Sequence, residues 1–346
     1  MIIREPSYYS AFSCIADRCP DTCCHGWEVV IDEDTCRFYK SLDGEMGEYI
    51  RSCLHIDADG DVCMKSENGR CAMLLDSGLC LIQKTYGESA LSRVCDRYPR
   101  FIHEFGNLTE RGVSLSCPVA CRLILETPFS LTETTNAEPP SPNDIDPGLY
   151  FAFLRGRSIA FRIAADSRFP VFSRAALLLA FAEALQDSVL EADSLLETWS
   201  SPDFLSDKLA EIQPKRRANF QILTDVYRSM EPLTERYPAM LQHLDCCPPL
   251  PDETMAQRLL QYFLYKYFLQ AAYDGKLLKK VQLAAASLLL CGALLASHTP
   301  RNRAEEIDLL HLYSRELEHS EVNLEHFFRW AGRRRQKLLT ALLLRP

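Results

Sequence analysis

The chain has 346 residues, 47% of them hydrophobic, which is enough for two domains and an apolar core without covalent staples. With 47 acidic against 38 basic residues the net charge is -9, which argues against a general nucleic-acid binder. The longest apolar run, Leu283 to Ser297, is shorter than the roughly 20 residues of a membrane span, so it reads as a buried helix and no membrane partner is expected.

The opening, MIIREPSYYSAFSC, lacks the basic stretch and apolar run of an export signal, which points to a reducing cytoplasm. Twelve of the fifteen cysteines nevertheless fall between Cys14 and Cys121. In a reducing compartment such a cluster reads as metal-binding or catalytic rather than as a disulfide framework. The spacing is Cys14-x4-Cys19-x3-Cys23-Cys24, then Cys71-x8-Cys80, Cys95 and Cys117-x3-Cys121. No C-x2-C occurs, so the usual zinc knuckle is missing and a zinc-stabilised scaffold is the weaker option. Thiolates hold iron-sulfur clusters and zinc alike, with ligands often drawn from separate loops. Iron-sulfur therefore leads, and buried thiols with no metal remain the bland alternative. Adjacent Cys23 and Cys24 are not expected to point the same way, so either one is a ligand and the other packs, or they serve separate sites. His25 is the histidine placed closest to this motif. DADGD, Asp57 to Asp61, lacks the glycine of a calcium loop at the position of Val62 and reads as a solvated turn.

The fold expected is mainly α. Residues 1–126 read as an irregular cysteine-rich metal module of helix, loop and helix. Residues 127–148, with Pro128, Pro139, Pro140, Pro142 and Pro147 among polar residues, read as a linker. Residues 149–346 read as an all-α domain of about eight helices. In AQRLLQYFLYKYFLQAAYDG, Leu259, Leu260, Phe263, Leu264, Tyr267, Phe268 and Ala271 form one stripe, and Gly275 is placed to end the helix. Thr299 and Pro300 predict a helix start running to about Leu317, and Ser320 predicts another running towards Leu344. Cys246-Cys247-Pro-Pro reads as a helix end. The basic run Arg329, Arg333, Arg334, Arg335 and Lys337 reads as a solvated face.

Three stretches carry a resemblance: the C-x4-C-x3-CC-x-GW opening from Cys14 to Trp27, the GRC and GLC pair at Cys71 and Cys80, and C-x2-YPR from Cys95 followed by SCP at Cys117. Together, over about the first 125 residues, they resemble the flagellin lysine-N-methylase family, and more loosely a group of cysteine-rich proteins thought to chelate iron or zinc. The resemblance implies transfer of a methyl group from S-adenosylmethionine to lysines of flagellin, dependent on a 4Fe-4S cluster. It maps metal-binding positions onto Cys14, Cys19, Cys23, Cys24, Cys71, Cys80, Cys95 and Cys117, and leaves Cys36, Cys53, Cys63 and Cys121 as packing residues. Eight candidates exceed the need of one cluster, so some are structural or there are two metal sites.

At pH 7 only about one lysine in 10³ is neutral and nucleophilic, so a methylase must desolvate the amine or supply a base. The 14 glycines contain no G-x-G and the chain shows no strand-helix alternation, which excludes a Rossmann-type cofactor site. Radical enzymes using the same cofactor carry C-x3-C-x2-C, from which Cys19-x3-Cys23-Cys24 departs, so radical and polar transfer both stay open. Glu28, Asp32, Tyr98 and Arg100 lie close to the cysteines and are candidates for a cofactor or lysine pocket, against a surface or core role. The competing class is a non-catalytic metal-chelating or redox-sensing module with a helical partner-binding domain.

Overall fold

The computed structural model describes residues 1–26, 29–58, 60–137, 139, 144–242, 244, 250 and 252–344. Trp27 and Glu28 of the opening motif, Asp59 of the acidic turn, and Cys246 and Cys247 lie outside the described residues.

The cysteine-rich part is not only helix and loop. It contains strands β1 (Ile2–Pro6), β2 (Val29–Val30), β3 (Leu54–Ile56), β4 (Val62–Met64), β5 (Ser66–Glu67), β6 (Arg70–Cys71), β7 (Arg100–Phe105) and β8 (Leu108–Val113). Its helices are short: α1 (Glu33–Ser41), α2 (Gly44–Ser52), α3 (Leu81–Tyr86), α4 (Arg93–Arg97) and α5 (Pro118–Glu126). A further strand, β9 (Leu131–Thr135), comes from the segment read as a linker. The largest sheet has the order β7-β8-β1-β9, with β1 parallel to β8 and antiparallel to β9. The β7-β8 hairpin turns through Gly106, whose φ of 64° suits glycine. The LTETT of β9 is rich in β-branched residues and sits at the sheet edge, where polar side chains can face water.

The helical part comprises α6 (Pro147–Ala165), α7 (Val171–Asp187), α8 (Ala192–Thr198), α9 (Pro202–Glu211), α10 (Gln221–Arg228), α11 (Arg236–Met240), α12 (Glu253–Tyr267), α13 (Ala271–Asp274), α14 (Leu277–His298), α15 (Arg303–Glu318), α16 (Glu321–Trp330) and α17 (Arg333–Leu344). These twelve described helices exceed the expected eight because long periodic stretches are interrupted. A 3₁₀ turn at Phe268–Gln270 divides the α12 stripe from α13, and Gly275 ends α13 in the left-handed region as expected. Gly332, at φ 142°, separates α16 from α17, so the arginines Arg333 to Arg335 open a helix instead of closing one. Ser320 caps α16 by accepting from the Asn323 amide. Thr299, by contrast, closes α14, and the cap of α15 is Asn302, whose carboxamide accepts from the amides of Ala304 and Glu305. Asparagine competes better for that cap because it satisfies two orphan donors at once. The apolar α14 is long enough to cross a membrane by length and composition, yet 83% of its apolar window is buried inside the fold.

A single hydrophobic core runs from Tyr8, Phe105, Val113 and Ile124 into Phe153, Leu264, Leu289 and Leu343, so sheet and helices pack as one body. A second, small core of Val29, Ile31, Tyr39, Ile50, Met64, Met73 and Ile82 lies beneath the cysteine loops, with Cys36 and Cys53 buried in it. Sheet and helices are also tied by a buried charge pair. The Glu110 carboxylate on β8 accepts from both terminal nitrogens of Arg157 on α6, one at 2.6 Å, and from Arg4 on β1 at 3.1 Å. Arg157 and Glu110 are 2% and 1% exposed, so losing one partner strands a charge in the core. Arg157→Ala is expected to lower stability by about 3–5 kcal/mol in urea unfolding, with Arg157→Met/Glu110→Leu recovering most of the loss.

Candidate thiol-lined site

The cysteines come together where the two cores meet. Cys14, Cys19, Cys23, Cys24, Cys80, Cys95 and Cys117 line one cavity of about 270 Å³, drawn from the N-terminal loop, the start of α3, α4 and the start of α5. Cys71, the eighth expected position, lies instead on a smaller cavity of about 30 Å³ that it shares with Cys23, Cys24, Cys80 and Cys95. No disulfide joins the described cysteines. Cys36, Cys53, Cys63 and Cys121 are buried away from both cavities.

The vicinal pair departs from expectation. The thiols of Cys23 and Cys24 do not diverge: they hydrogen-bond to each other and line both cavities, because the loop turns at this point and neither strand nor helix geometry separates successive side chains. The Cys23 thiol beside it, with the Thr22 hydroxyl and the Arg315 and Arg70 guanidiniums, brings Cys24 down against burial. Cys23 is correspondingly pushed up. Burial raises the other thiols: Cys71 to about 12, Cys95 to about 11 and Cys117 to about 11, with neighbouring thiols adding to the effect.

Several sulfurs receive hydrogen bonds from their surroundings. Backbone amides of Val119 and Ala120 reach Cys117, those of Ile82 and Gln83 reach Cys80, that of Met73 reaches Cys71, and Ser92 bonds Cys95. Crowded sulfurs, several of them held by neutral donors and with Arg315 and Arg70 near Cys24, are donor chemistry that suits a thiophilic metal centre. Among the described residues no three His, Cys, Asp or Glu side chains converge on one point as ligands of a bound ion do. The thiols stand around cavities instead.

Other expected residues divide. Tyr98 and Arg100 line the larger cavity, with Arg100 stacked 4.9 Å over the Phe12 ring. Asp32 does not reach it. It caps α1 through Thr35 and accepts from the Arg93 amide at 2.8 Å, so its place near the cysteines in sequence reflects a structural bond. His25 pairs with Arg70 in an isolated bridge and lines neither cavity. The reading from sequence missed Asp21, Glu88, Asp96 and above all Arg315, which lies on α15 almost three hundred residues from the motif it serves. Arg315 donates to the Asp21 carboxylate at 2.8 Å and to the Thr22 carbonyl at 2.6 Å, clamping the cysteine loop onto the helical part.

Behind the Tyr98 wall lies a buried polar layer. Lys266 of α12 pairs with Glu318 of α15 at 2.6 Å, and the Tyr262 and Tyr267 hydroxyls donate to the same carboxylate. Lys266 also reaches Ser114, which accepts from Ser116, and Ser116 contacts both Tyr98 and His319. Burial, reinforced by the Lys266 ammonium, lowers His103 and His319 to about 4 each. An unfolded histidine takes up its proton near pH 6.5, so both contribute stability that is full above that pH and is lost as pH falls towards 4. Urea unfolding is expected to show a midpoint falling between pH 7 and pH 5, with a shallower decline in His319→Gln. Releasing the loop clamp is expected to raise the alkylation rate of Cys19 and Cys23 about tenfold in Arg315→Ala, read by mass spectrometry of the labelled thiols.

A model of the FliB lysine N-methylase C-terminal domain matches residues 251–344, the region that holds Lys266, Arg315 and Glu318. The flagellar biosynthetic protein FliU of Salmonella muenchen is 32% identical over 135 residues, covering 37% of this chain and 80% of that protein. Lysine-N-methylases of Salmonella typhimurium and Salmonella choleraesuis are each 32% identical over 141 residues, covering 38% of this chain but only 35% of their own length. No solved structure matches. On these likenesses, and with its cysteines gathered beside the matched helices, the chain belongs to the flagellin lysine-methylase family of FliU and FliB.

Proposed function

We propose that this protein is a protein-lysine N-methyltransferase that acts on flagellin in the cytoplasm, with S-adenosylmethionine as donor and a 4Fe-4S cluster held in the larger cavity. The observation that carries the reading is that thiols from four separate segments meet a conjoined helical wall, through Arg315, within the region that resembles the lysine-N-methylase C-terminal domain. Soft sulfur donors in excess of four suit a cluster. When bound, the cluster would supply an iron site for organising the methyl donor.

The chain's own residues divide the remaining work. Arg315 is engaged with Asp21 and Thr22, so it shapes the loop. Arg100, exposed at the cavity rim, is the cation placed to take an anionic group of the donor. Glu88 and Asp96, both exposed on the lining, can attract a substrate ammonium, whose proton leaves to solvent before the neutral amine attacks the methyl carbon. Tyr98, pushed up chiefly by burial, keeps its phenolic proton and donates to the Ser116 carbonyl. A cavity of about 270 Å³ sits just below the roughly 300–1,000 Å³ of small-molecule pockets, so donor and lysine must share it with the rim.

The test is incubation of the anaerobically purified protein, its cluster confirmed by absorption and iron-sulfide content, with methyl-labelled S-adenosylmethionine and flagellin. Label on flagellin lysines is the expected result, with Arg100→Ala reducing it about tenfold or more through a higher KM for the donor. An intact cluster and no labelled lysine would leave the non-catalytic metal or redox module as the reading of choice.

A further inference from the structure

The basic run that opens α17 does more than face water. Arg333, Arg334 and Arg335 fill the first turn of that helix, and no acid accompanies them. Backbone amides already concentrate positive charge at a helix start, so acids are favoured there and a cluster of guanidiniums is opposed. Two of the three are relieved: Arg333 donates to Asp187 at 2.8 Å, and Arg335 lies 5.1 Å from the centroid of the Trp330 ring.

The same helix borders a groove of about 1010 Å³ that shares no residue with the thiol-lined cavities. Its sides are α7, α9, the segment 212–216 and α17. The floor is apolar and low. Ala180, Ala184 and Ala341 present small side chains to it, and Phe204, Ile212 and the buried Trp199 complete it. Around the rim stand five cations, Lys208, Lys215, Arg216, Arg333 and Lys337, against three carboxylates, Glu183, Asp187 and Glu211. The groove is therefore positive in a chain whose net charge is -9. Lys208 is paired with Glu211 at 2.9 Å, as Arg333 is with Asp187. Arg216 and Lys337 are exposed and have no ion pair among the described residues. They converge from segments more than a hundred residues apart.

The chemistry of the groove narrows its occupant. An apolar floor takes apolar side chains, and the surplus of cations on the rim takes acids beside them. No described strand lines the groove, so it offers an extended segment no sheet edge to pair with. A helix satisfies its own backbone and needs none. Nucleic acid fits less well, because Glu183, Asp187 and Glu211 would lie against its phosphates.

We propose that this groove docks a helix of a partner protein whose apolar face is flanked by Asp or Glu. Arg216 and Lys337 pair with the flanking acids, while the alanines at positions 180, 184 and 341 let the partner helix approach closely. The proposal stands apart from the functional reading above, since it requires neither a cluster nor methyl transfer.

The test titrates the full chain into a fluorescein-labelled peptide of about 18 residues, or about five helical turns, with leucines along one face and glutamates on both flanks. Binding is read by fluorescence anisotropy. Two control peptides carry lysine in place of each glutamate, or the same composition with the leucine positions scrambled. Expected is binding of the acidic peptide that weakens with added salt and is about tenfold or more weaker for either control. Arg216→Glu/Lys337→Glu should weaken it by about tenfold or more, with a urea midpoint close to wild type because both residues are exposed. Ala184→Trp, which fills the floor and leaves the charge unchanged, should do the same. No binding of the acidic peptide, equal binding of either control, or full affinity in the charge-reversed variant would overturn the proposal. So would a dimer of the chain alone in sedimentation velocity that the same two substitutions separate, which would give the groove to a second copy. A labelled DNA duplex bound more tightly than the acidic peptide, and lost in that variant, would give it to nucleic acid instead.

Discussion

The Arg315 guanidinium is the bond on which the site depends. The segment from Cys14 to Cys24 contains one 3₁₀ turn and otherwise no regular structure, so its own backbone does little to fix its thiols. Two charge-assisted bonds from a side chain only 6% exposed hold it against α15. Desolvating that charge is costly unless both acceptors stay in place, which makes the loop position an all-or-none matter. Arg315 in turn is held by α15, whose next turn carries the Glu318 that pairs with Lys266. Placement of the cysteines thus follows from packing in the helical half.

Two cores of different size meet beneath the thiols, and this asymmetry explains the two cavities. The large core fixes Phe12 and Cys117, and the small one fixes the surroundings of Cys71, Cys80 and Cys95. Thiols gather at their seam, where Cys23 and Cys24 both line each cavity.

The polar layer behind Tyr98 makes sense as a joint between the same two parts. Ser114 and Ser116 follow β8, while Lys266, Glu318 and His319 belong to the helices. Lys266 also lies 5.1 Å from the Phe101 ring centroid and 5.4 Å from that of Tyr267, so aromatic faces share its charge with the Glu318 carboxylate. A satisfied network of this kind fixes orientation more than it adds stability. It gives the family-matched helices a defined angle to the sheet that carries the cavity wall.

Periodicity alone sufficed for the helical character of the second half, for the burial of α14, and for the caps at Gly275 and Ser320, since these are set by neighbours within a turn or two. Spacing and motif likewise picked out the cysteines, seven of which line one cavity. Short strands were not legible, because two- or three-residue pairings such as β2 with β4 have too few side chains to show a period. Thr299 misled because a cap is decided by which side chain reaches the free amides, and Asn302 reaches two. Arg315 was invisible: nothing within its own helix marks an arginine that will meet a loop almost three hundred residues earlier. The sequence by itself determined where thiols are concentrated along the chain. Only the tertiary structure decided how they are grouped, because the thiols approach one another across the seam of two cores whose packing is a property of the whole chain.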